Sequence, residues 1–222
     1  MHKYEKNFDK VLSTIEAIRL ETNEHQIIKI IAASKYVGSK EIEEFYKVGQ
    51  RAYGENKVQD LKEKSQKLEQ YPLEWHYIGR IQSNKINALL DLSPTLIHSC
   101  ESFEMAKEID KRAEVKGKKV NILLQINSAN EESKAGINPK DAIDEYLKIK
   151  ELKNVTLKGV MSIGAHSENE KEIIQSFETT YAIFDKLKEH GAKYCSMGMS
   201  GDFELAIKCG SNMLRLGSVL FK

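Results

Sequence analysis

The sequence predicts an α/β protein, a single-domain (β/α)8 TIM barrel preceded by an extra N-terminal helix. Apolar runs and charged amphipathic stretches alternate along the whole chain. Strands separated by helices require right-handed crossovers, which place the strands in a parallel sheet. The 222 residues come close to the roughly 250 typical of such barrels. An open dinucleotide-binding sheet is disfavoured, because no GxGxxG motif follows the first apolar run.

Each predicted element follows from its local pattern. Residues 4–22 form an amphipathic helix, because Phe8, Leu12 and Ile15 recur at helical spacing among charges. The apolar run 27–33 is the first strand. Further strands are predicted at 51–54, 74–79, 95–99, 120–127, 155–163, 194–197 and 213–216. Helices between them are predicted at 39–49, 56–70, 83–91, 102–116, 139–151, 169–190 and 201–209.

Nothing between these units resembles a flexible linker, so we expect one domain over 1–222. The extra helix is expected within 1–24 and the barrel within 25–222.

Composition excludes several classes of protein. With 34 Lys and Arg against 33 Asp and Glu, the chain lacks the basic excess of a nucleic-acid binder. No apolar stretch is long enough to span a membrane or to act as a secretory signal. The three cysteines form no CxxC pair, which favours packed, reduced thiols. We therefore expect a cytoplasmic monomer without nucleic-acid or membrane partners.

Lys35 is the first candidate functional residue. In a TIM barrel the working residues lie at the carboxyl ends of strands and in the loops that follow, and Lys35 follows the first apolar strand. An amine held partly out of water at this place can attack a carbonyl and form a Schiff base. The alternative is a lysine at a strand end whose alkyl chain covers apolar surface while its amine reaches water.

The last two strand–helix loops form a second candidate site. Ser200 follows the seventh strand, and Gly217 and Ser218 follow the eighth. Phosphate sites in these barrels often lie after these two strands, where N–H groups and hydroxyls converge. Ordinary turns and helix caps use the same residue types. Arg215, inside the last strand, needs an acceptor, either a carboxylate of the barrel or a ring nitrogen of a bound cofactor.

An amine for an aldehyde, a phosphate site and an arginine are the requirements of pyridoxal 5′-phosphate (PLP). The sequence also resembles the YggS/PROSC-type PLP-binding family of PLP homeostasis proteins. The matching segments are 33–35, 54–59, 76–85, 134–137, 196–202 and 210–221. The resemblance implies a barrel like the N-terminal domain of alanine racemase, with PLP held as a Schiff base on Lys35. It also implies that Asn56 lines the cofactor pocket, that Arg215 faces the pyridine nitrogen, and that the last two loops hold the phosphate.

The resemblance further implies a function in intracellular PLP homeostasis without catalytic turnover. PLP-dependent apo-enzymes are the implied class of partner. The family usually has Thr-Lys-Pro after the Schiff-base lysine, whereas this chain has Tyr36, Val37 and Gly38. The second lysine that the family has near the cofactor is therefore missing, and we do not expect this chain to transfer PLP through a lysine at that position.

A PLP-dependent amino-acid racemase is the alternative function. Such an enzyme needs a second acid/base, which resembling enzymes take from a separate β-domain, and these 222 residues contain none. Tyr36, Tyr53 and Tyr77 lie near strand ends, but we expect each to be a packing aromatic.

A metal-dependent hydrolase is an interpretation of another class. It would use His76, His98 and His166, which follow or end predicted strands. No HxH or HExxH spacing places two imidazoles on one metal. We expect no metal site and a satisfied polar group at each strand end.

Overall fold

A closed barrel of eight parallel strands, paired in chain order, forms the centre of the computed structural model, which describes residues 3–22, 26–129 and 135–222. The strands are β1 (Lys29–Ala33), β2 (Ala52–Glu55), β3 (Glu74–Tyr77), β4 (Leu96–Cys100), β5 (Val120–Ile126), β6 (Val155–Ser162), β7 (Tyr194–Ser196) and β8 (Met213–Leu216). Pairing of β1 with β8 closes the barrel. The predicted TIM-barrel fold is confirmed.

Helices surround the barrel on the outside. They are α1 (Lys3–Glu21), α2 (Ser39–Lys47), α3 (Val58–Lys67), α4 (Ile86–Asp91), α5 (Phe103–Val115), α6 (Ala142–Lys150), α7 (Glu170–Leu187), α8 (Phe203–Lys208) and α9 (Ser218–Phe221). Short 3-10 turns precede α4 and follow α7. Apart from α9, which was not predicted, the elements agree with the predicted ones to within a few residues. The predicted boundary between 1–24 and 25–222 falls outside the described residues and stays a prediction.

The wall of the barrel is apolar because each strand buries both faces. In β1, Ile30 and Ala32 face the helices, whereas Ile31 points inward and packs with Leu123 and Met161. Alternation of this kind is the rule for closed barrels. Several strands also place a polar side chain in the interior, and these residues are described below.

The extra helix α1 lies against the outside of the barrel beside α8, α9 and α2. The helix that follows β8 is α9, which has 4 residues and covers less of the barrel than the longer outer helices do. Val11 and Ile18 of α1 are buried and pack in one cluster with Phe45 of α2 and Leu220 of α9. Fully burying a side chain of this size contributes about 1.5–3 kcal/mol. The helix α1 therefore covers the outer wall of the barrel beside the short helix α9.

The cysteines agree with the sequence-based expectation. All three are free, with Cys100 and Cys195 buried and Cys209 half-buried. Burial raises the pKa of the Cys100 thiol to about 12 and that of Cys209 to about 11. These thiols therefore stay protonated near neutral pH. Across the described ranges, no helix is both long and apolar enough to cross a bilayer.

Candidate functional site

Lys35 lies in a tight turn beyond β1, at the end of the barrel where the strands have their carboxyl ends, which we call the mouth. The Val37 N–H donates to the Ser34 carbonyl at 3.0 Å, so Lys35 and Tyr36 occupy the centre of a β-turn. The Gly38 N–H donates to Glu41 Oε2 at 2.9 Å, which starts α2 and limits the length of this loop.

The turn makes the Lys35 amine accessible. Its side chain is exposed, and Nζ lies 4.9 Å from the centroid of the Tyr36 ring. The expectation that Lys35 is partly desolvated is wrong, because β1 already ends at Ala33 and the turn carries the side chain into solvent. An exposed amine can be reached by a dissolved aldehyde without any opening of the fold.

A buried charged cluster fixes the start of this turn. Ser34 Oγ donates to Glu55 Oε1 at 2.6 Å, and Lys64 Nζ donates to the same oxygen at 2.7 Å. Lys64 Nζ also donates to the Ser34 carbonyl at 2.8 Å. We call these three residues the Ser34–Glu55–Lys64 cluster. It joins the ends of β1 and β2 to α3 and so holds the backbone from which Lys35 projects.

The three tyrosines considered as acid/base groups differ in their surroundings. Tyr53 is buried and its hydroxyl donates to the Ile42 carbonyl at 3.2 Å. Tyr77 is also buried, and its hydroxyl donates to the Arg80 carbonyl at 3.1 Å. Both are packing aromatics, as predicted. For Tyr36 that prediction is wrong, since its ring is 88% exposed at the centre of the turn.

The loops after β7 and β8 meet through Ser200. Its Oγ accepts from the Gly217 N–H at 3.0 Å and from the Val219 N–H at 3.3 Å. A Cβ at Gly217 would lie 3.5 Å from the Ala33 carbonyl oxygen, so this loop runs beside the end of β1. Ser218 is exposed at the first position of α9. The structure thus brings two predicted residues together and adds the Val219 amide, which the Gly-Ser signal alone did not single out.

Arg215 is buried inside the barrel. Its Nη1 donates to the carbonyl and hydroxyl oxygens of Ser196, at 2.9 and 2.8 Å, and its Nη2 donates to the Ser162 carbonyl at 2.8 Å. No carboxylate pairs with it within the described ranges, so its acceptors are neutral oxygens. A guanidinium has more N–H groups than these bonds use. Burial lowers its pKa to about 10, so the side chain stays charged near neutral pH.

Two histidines connect to Arg215 through the interior. His76 Nδ1 lies 2.9 Å from His98 Nε2, and His98 Nδ1 lies 3.2 Å from Ser196 Oγ. Both rings are buried inside the barrel. The prediction that they lie at the mouth, where their strands end, is wrong, because β3 and β4 continue past them. Burial lowers the pKa of both imidazoles, so they are neutral near pH 7.

The histidines do not converge with His166, which is exposed beyond β6. Within the part of the chain that the structure describes, no group of three or more His, Cys, Asp or Glu side chains is placed to hold a metal ion. The facing nitrogens of His76 and His98 are used in their mutual hydrogen bond. The metal-hydrolase interpretation therefore gains no support from this geometry.

A cavity of about 290 Å³ opens at the mouth over the ends of β3 to β6. Ile78, Gln125 and Asn127 are among the residues that line it. Asn56 is half-buried directly after β2, and its carbonyl oxygen would lie 2.0 Å from a Cβ at Gly79. Only glycine allows this approach, which joins the loop after β2 to the rim of the cavity.

Residues 135–137 of the motif 134–137 lie at the rim of this cavity. Its Lys134 is outside the described residues. Gly136 has φ +128°, and a Cβ there would lie 2.8 Å from the Asn127 amide nitrogen. Ile137 forms a parallel bridge with Ile126 at the end of β5. The segment therefore passes directly over the end of β5.

The chain matches the family model described as alanine racemase, N-terminal domain, over residues 12–222. It is 52% identical over 223 residues, covering 100% of both chains, to a protein of Helicobacter pylori named pyridoxal phosphate homeostasis protein. The chain belongs to the pyridoxal phosphate homeostasis protein family. A member of the same name from Aquifex aeolicus is 37% identical over 196 residues, 87% of this chain and 86% of that one.

A solved structure related to this homeostasis-family chain is that of PipY from Synechococcus elongatus with PLP bound. It is 30% identical, has a TM-score of 0.79, and the match covers 94% of this chain and 100% of PipY. The sequence-based family resemblance and the alanine-racemase-like barrel are thereby confirmed. The structure brings most of the predicted site residues of this family member to the neighbouring strands β1 and β8. Lys35 follows β1, Arg215 lies in β8 and Gly217 follows β8. Ser200 contacts Gly217, and Asn56 follows β2.

Proposed function

We propose that this chain binds PLP at the mouth as a Schiff base on Lys35 and takes part in intracellular PLP homeostasis without catalytic turnover. The observation that carries the proposal is the meeting of Ser200 Oγ with the Gly217 and Val219 amides beside the end of β1. These N–H and hydroxyl groups can donate to an anion, and they lie next to β1, the strand that leads to the exposed amine of Lys35. The family name of the relatives and the PLP in PipY support the same conclusion.

The phosphate group would be held by the loops after β7 and β8. The Gly217 and Val219 N–H groups can both donate to a phosphate oxygen, and the Ser200 hydroxyl can donate beside them. Ser218, exposed at the next position, adds a second hydroxyl. Hydrogen bonds to a charged phosphate are stronger than the present bonds to a neutral hydroxyl, so the ligand would replace Ser200 Oγ as the acceptor.

Arg215 would face the pyridine nitrogen with its remaining N–H groups, and Asn56 would line the pocket. PLP supplies an aldehyde for a lysine and a ring that can withdraw electrons. A guanidinium held as a cation opposes protonation of a ring nitrogen beside it, because two positive charges repel. The unprotonated ring withdraws electrons less strongly, which suits holding PLP better than transforming amino acids.

The open mouth supports a role in supplying PLP. Because the Lys35 turn is exposed, PLP can reach and leave it without a lid opening. We infer a cytoplasmic monomer that passes PLP to apo-enzymes. Mixing the PLP-loaded protein with a PLP-dependent apo-enzyme should restore the activity of that enzyme. The rate of restoration should exceed the rate at which the loaded protein releases PLP into solution. Equal rates would contradict direct delivery.

Reductive trapping tests the Lys35 assignment. Added PLP should turn the purified protein yellow, and borohydride reduction should leave the pyridoxyl mass on the peptide containing Lys35. The Lys35→Ala variant should lose the adduct and keep its thermal stability, because the side chain is exposed. Lys40→Ala, which removes an exposed lysine of α2, is the matched control. No adduct, or an equal adduct in Lys35→Ala, would overturn the proposal.

An amino-acid racemase is the alternative, and Tyr36 is the observation that favours it. Its phenol is 88% exposed and lies beside Lys35, so it is the available second acid/base at the turn. Incubation of the PLP-loaded protein with amino acids in D2O, followed by NMR, measures exchange of the Cα proton. No exchange above free PLP is expected. Exchange that disappears in Tyr36→Phe would replace the homeostasis proposal with catalysis.

A further inference from the structure

A second cavity, of about 140 Å³, opens at the end of the barrel opposite to the mouth. Its wall consists of residues at the amino ends of the strands, together with one interior side chain, His76. The volume exceeds the roughly 10–15 Å³ that a single water needs, so an ion of several atoms has room there. We call it the lower cavity.

Positive charge dominates the lower cavity. Lys29, Lys158 and Lys193 all line it. Lys29 forms an ion pair with Glu74, whereas Lys158 and Lys193 have no acidic partner in the described part of the chain. Two cations therefore remain uncompensated at the rim of one small cavity, and like charges held close together favour an anion between them.

The wall also contains a buried polar atom without a partner. His76 is 1% exposed, and its Nε2 forms no hydrogen bond within the described ranges. The nearest acidic atom is Glu74 Oε2 at 3.7 Å, beyond hydrogen-bond distance. Buried polar atoms in native proteins are nearly always satisfied, so an orphaned ring nitrogen in a cavity wall indicates a missing partner.

We propose that the lower cavity binds a small oxyanion, such as inorganic phosphate, between Lys158, Lys193 and the His76 ring. The two ammonium groups supply the charge, and an Nε2–H on His76 supplies the directed hydrogen bond. A neutral imidazole carries one hydrogen, and the tautomer with that hydrogen on Nε2 leaves Nδ1 to accept from His98. The Glu74 carboxylate beside the ring is paired with Lys29, which compensates its negative charge. The site is separate from the mouth and does not depend on the proposed PLP function.

The bound ion would also fix the direction of the interior hydrogen bonds. With the hydrogen on His76 Nε2, His76 Nδ1 accepts from His98 Nε2–H. His98 Nδ1 then accepts from the Ser196 hydroxyl, whose oxygen accepts from Arg215. Occupation of the lower cavity should therefore be detectable at His98 as well as at His76.

The test is an NMR titration of the full chain carrying 15N-labelled histidine. Sodium chloride is replaced stepwise by sodium phosphate at constant ionic strength, which keeps general screening unchanged. The imidazole resonances of His76 and His98 should shift along one saturating curve. An ion pair between a lysine near the surface and an anion raises the affinity up to about fivefold. Removing both charges with Lys158→Gln and Lys193→Gln should therefore weaken phosphate binding roughly tenfold or more.

The control removes the same charge elsewhere. Lys107→Gln with Lys111→Gln, on exposed positions of α5, should leave the titration unchanged. A shift that does not saturate, or equal weakening in both double variants, would overturn the proposal. So would histidine shifts that survive in the Lys158 and Lys193 variant and disappear in Ser200→Ala, because the ion would then be bound at the mouth.

Discussion

The ion pair between Lys64 and Glu55 offers a quantitative test of how the Lys35 turn is held. The Glu55 side chain is fully buried and that of Lys64 is 11% exposed. Lys64→Met keeps the length of the side chain but removes its charge. Glu55 would then be a buried carboxylate with only the Ser34 hydroxyl as donor, since its Oε2 has no hydrogen-bond partner among the described residues.

Removing one partner of a buried ion pair costs about 3–5 kcal/mol, because the other charge stays buried and uncompensated. We expect about 3 kcal/mol for Lys64→Met, the lower end, because the Ser34 hydroxyl still donates to Glu55. The Ser34 carbonyl also loses one of its two donors. The turn should loosen, and trapping of PLP on Lys35 should become slower.

Urea unfolding followed by circular dichroism measures the loss as a lower midpoint at unchanged slope. Lys67→Met, on the same helix, breaks an exposed pair with Glu63 and should cost far less. The double variant Lys64→Met with Glu55→Leu should recover most of the stability, since no buried charge remains. The reasoning is refuted if Lys64→Met costs no more than Lys67→Met, or if the double variant is as unstable as the single one.

Three further outcomes are expected. Arg215→Gln should leave PLP bound but shift its absorbance maximum; an unchanged spectrum would mean that the guanidinium does not contact the ring. Gly136→Ala should lower stability by more than about 1 kcal/mol, because φ is +128° and a Cβ would meet backbone, whereas Gly117→Ala, with open space around it, should lose less in the same urea assay. The neighbouring His76 ring and the paired Lys29 ammonium lower the pKa of Glu74 from 4.5 to about 2. This lowered pKa stabilises the fold above pH 4.5 and the contribution is lost as the pH falls towards 2, so Glu74→Gln should flatten the acid limb of stability against pH; an unchanged limb would contradict this.

The strands could be predicted because local pattern decides them. Runs such as 27–33 and 213–216 are mostly apolar and bounded by polar residues, and a closed barrel buries such runs on both faces. Candidate residues could be found for the same reason, since the strand ends define the mouth. The exposure of Lys35 was not predictable in this way, because it depends on a turn that begins at Ser34, directly after the strand.

Contacts between distant segments could not be predicted from the sequence alone. Lys64 lies in a helix full of charges, where a solvated lysine is the ordinary interpretation. Its burial depends on how α3 docks against the ends of β1 and β2. Likewise, the hydrogen bond between His76 and His98 requires that both side chains point inward at matching heights, which only the register of β3 and β4 determines.

The position of α1 has a consequence for synthesis on the ribosome. Its apolar face packs against α8 and α9 as well as α2, and β1 is paired by β2 on one edge and by β8 on the other. α8, β8 and α9 are translated long after α1 and β1, so the nascent chain carries a partly uncovered apolar helix and one unpaired edge of β1 through most of translation. Such surfaces are prone to aggregate, and chaperones protect chains that expose them. A ribosome that stalls before α8 would therefore hold a chain in need of that protection, whereas synthesis of β8 and α9 lets barrel closure and helix docking occur together.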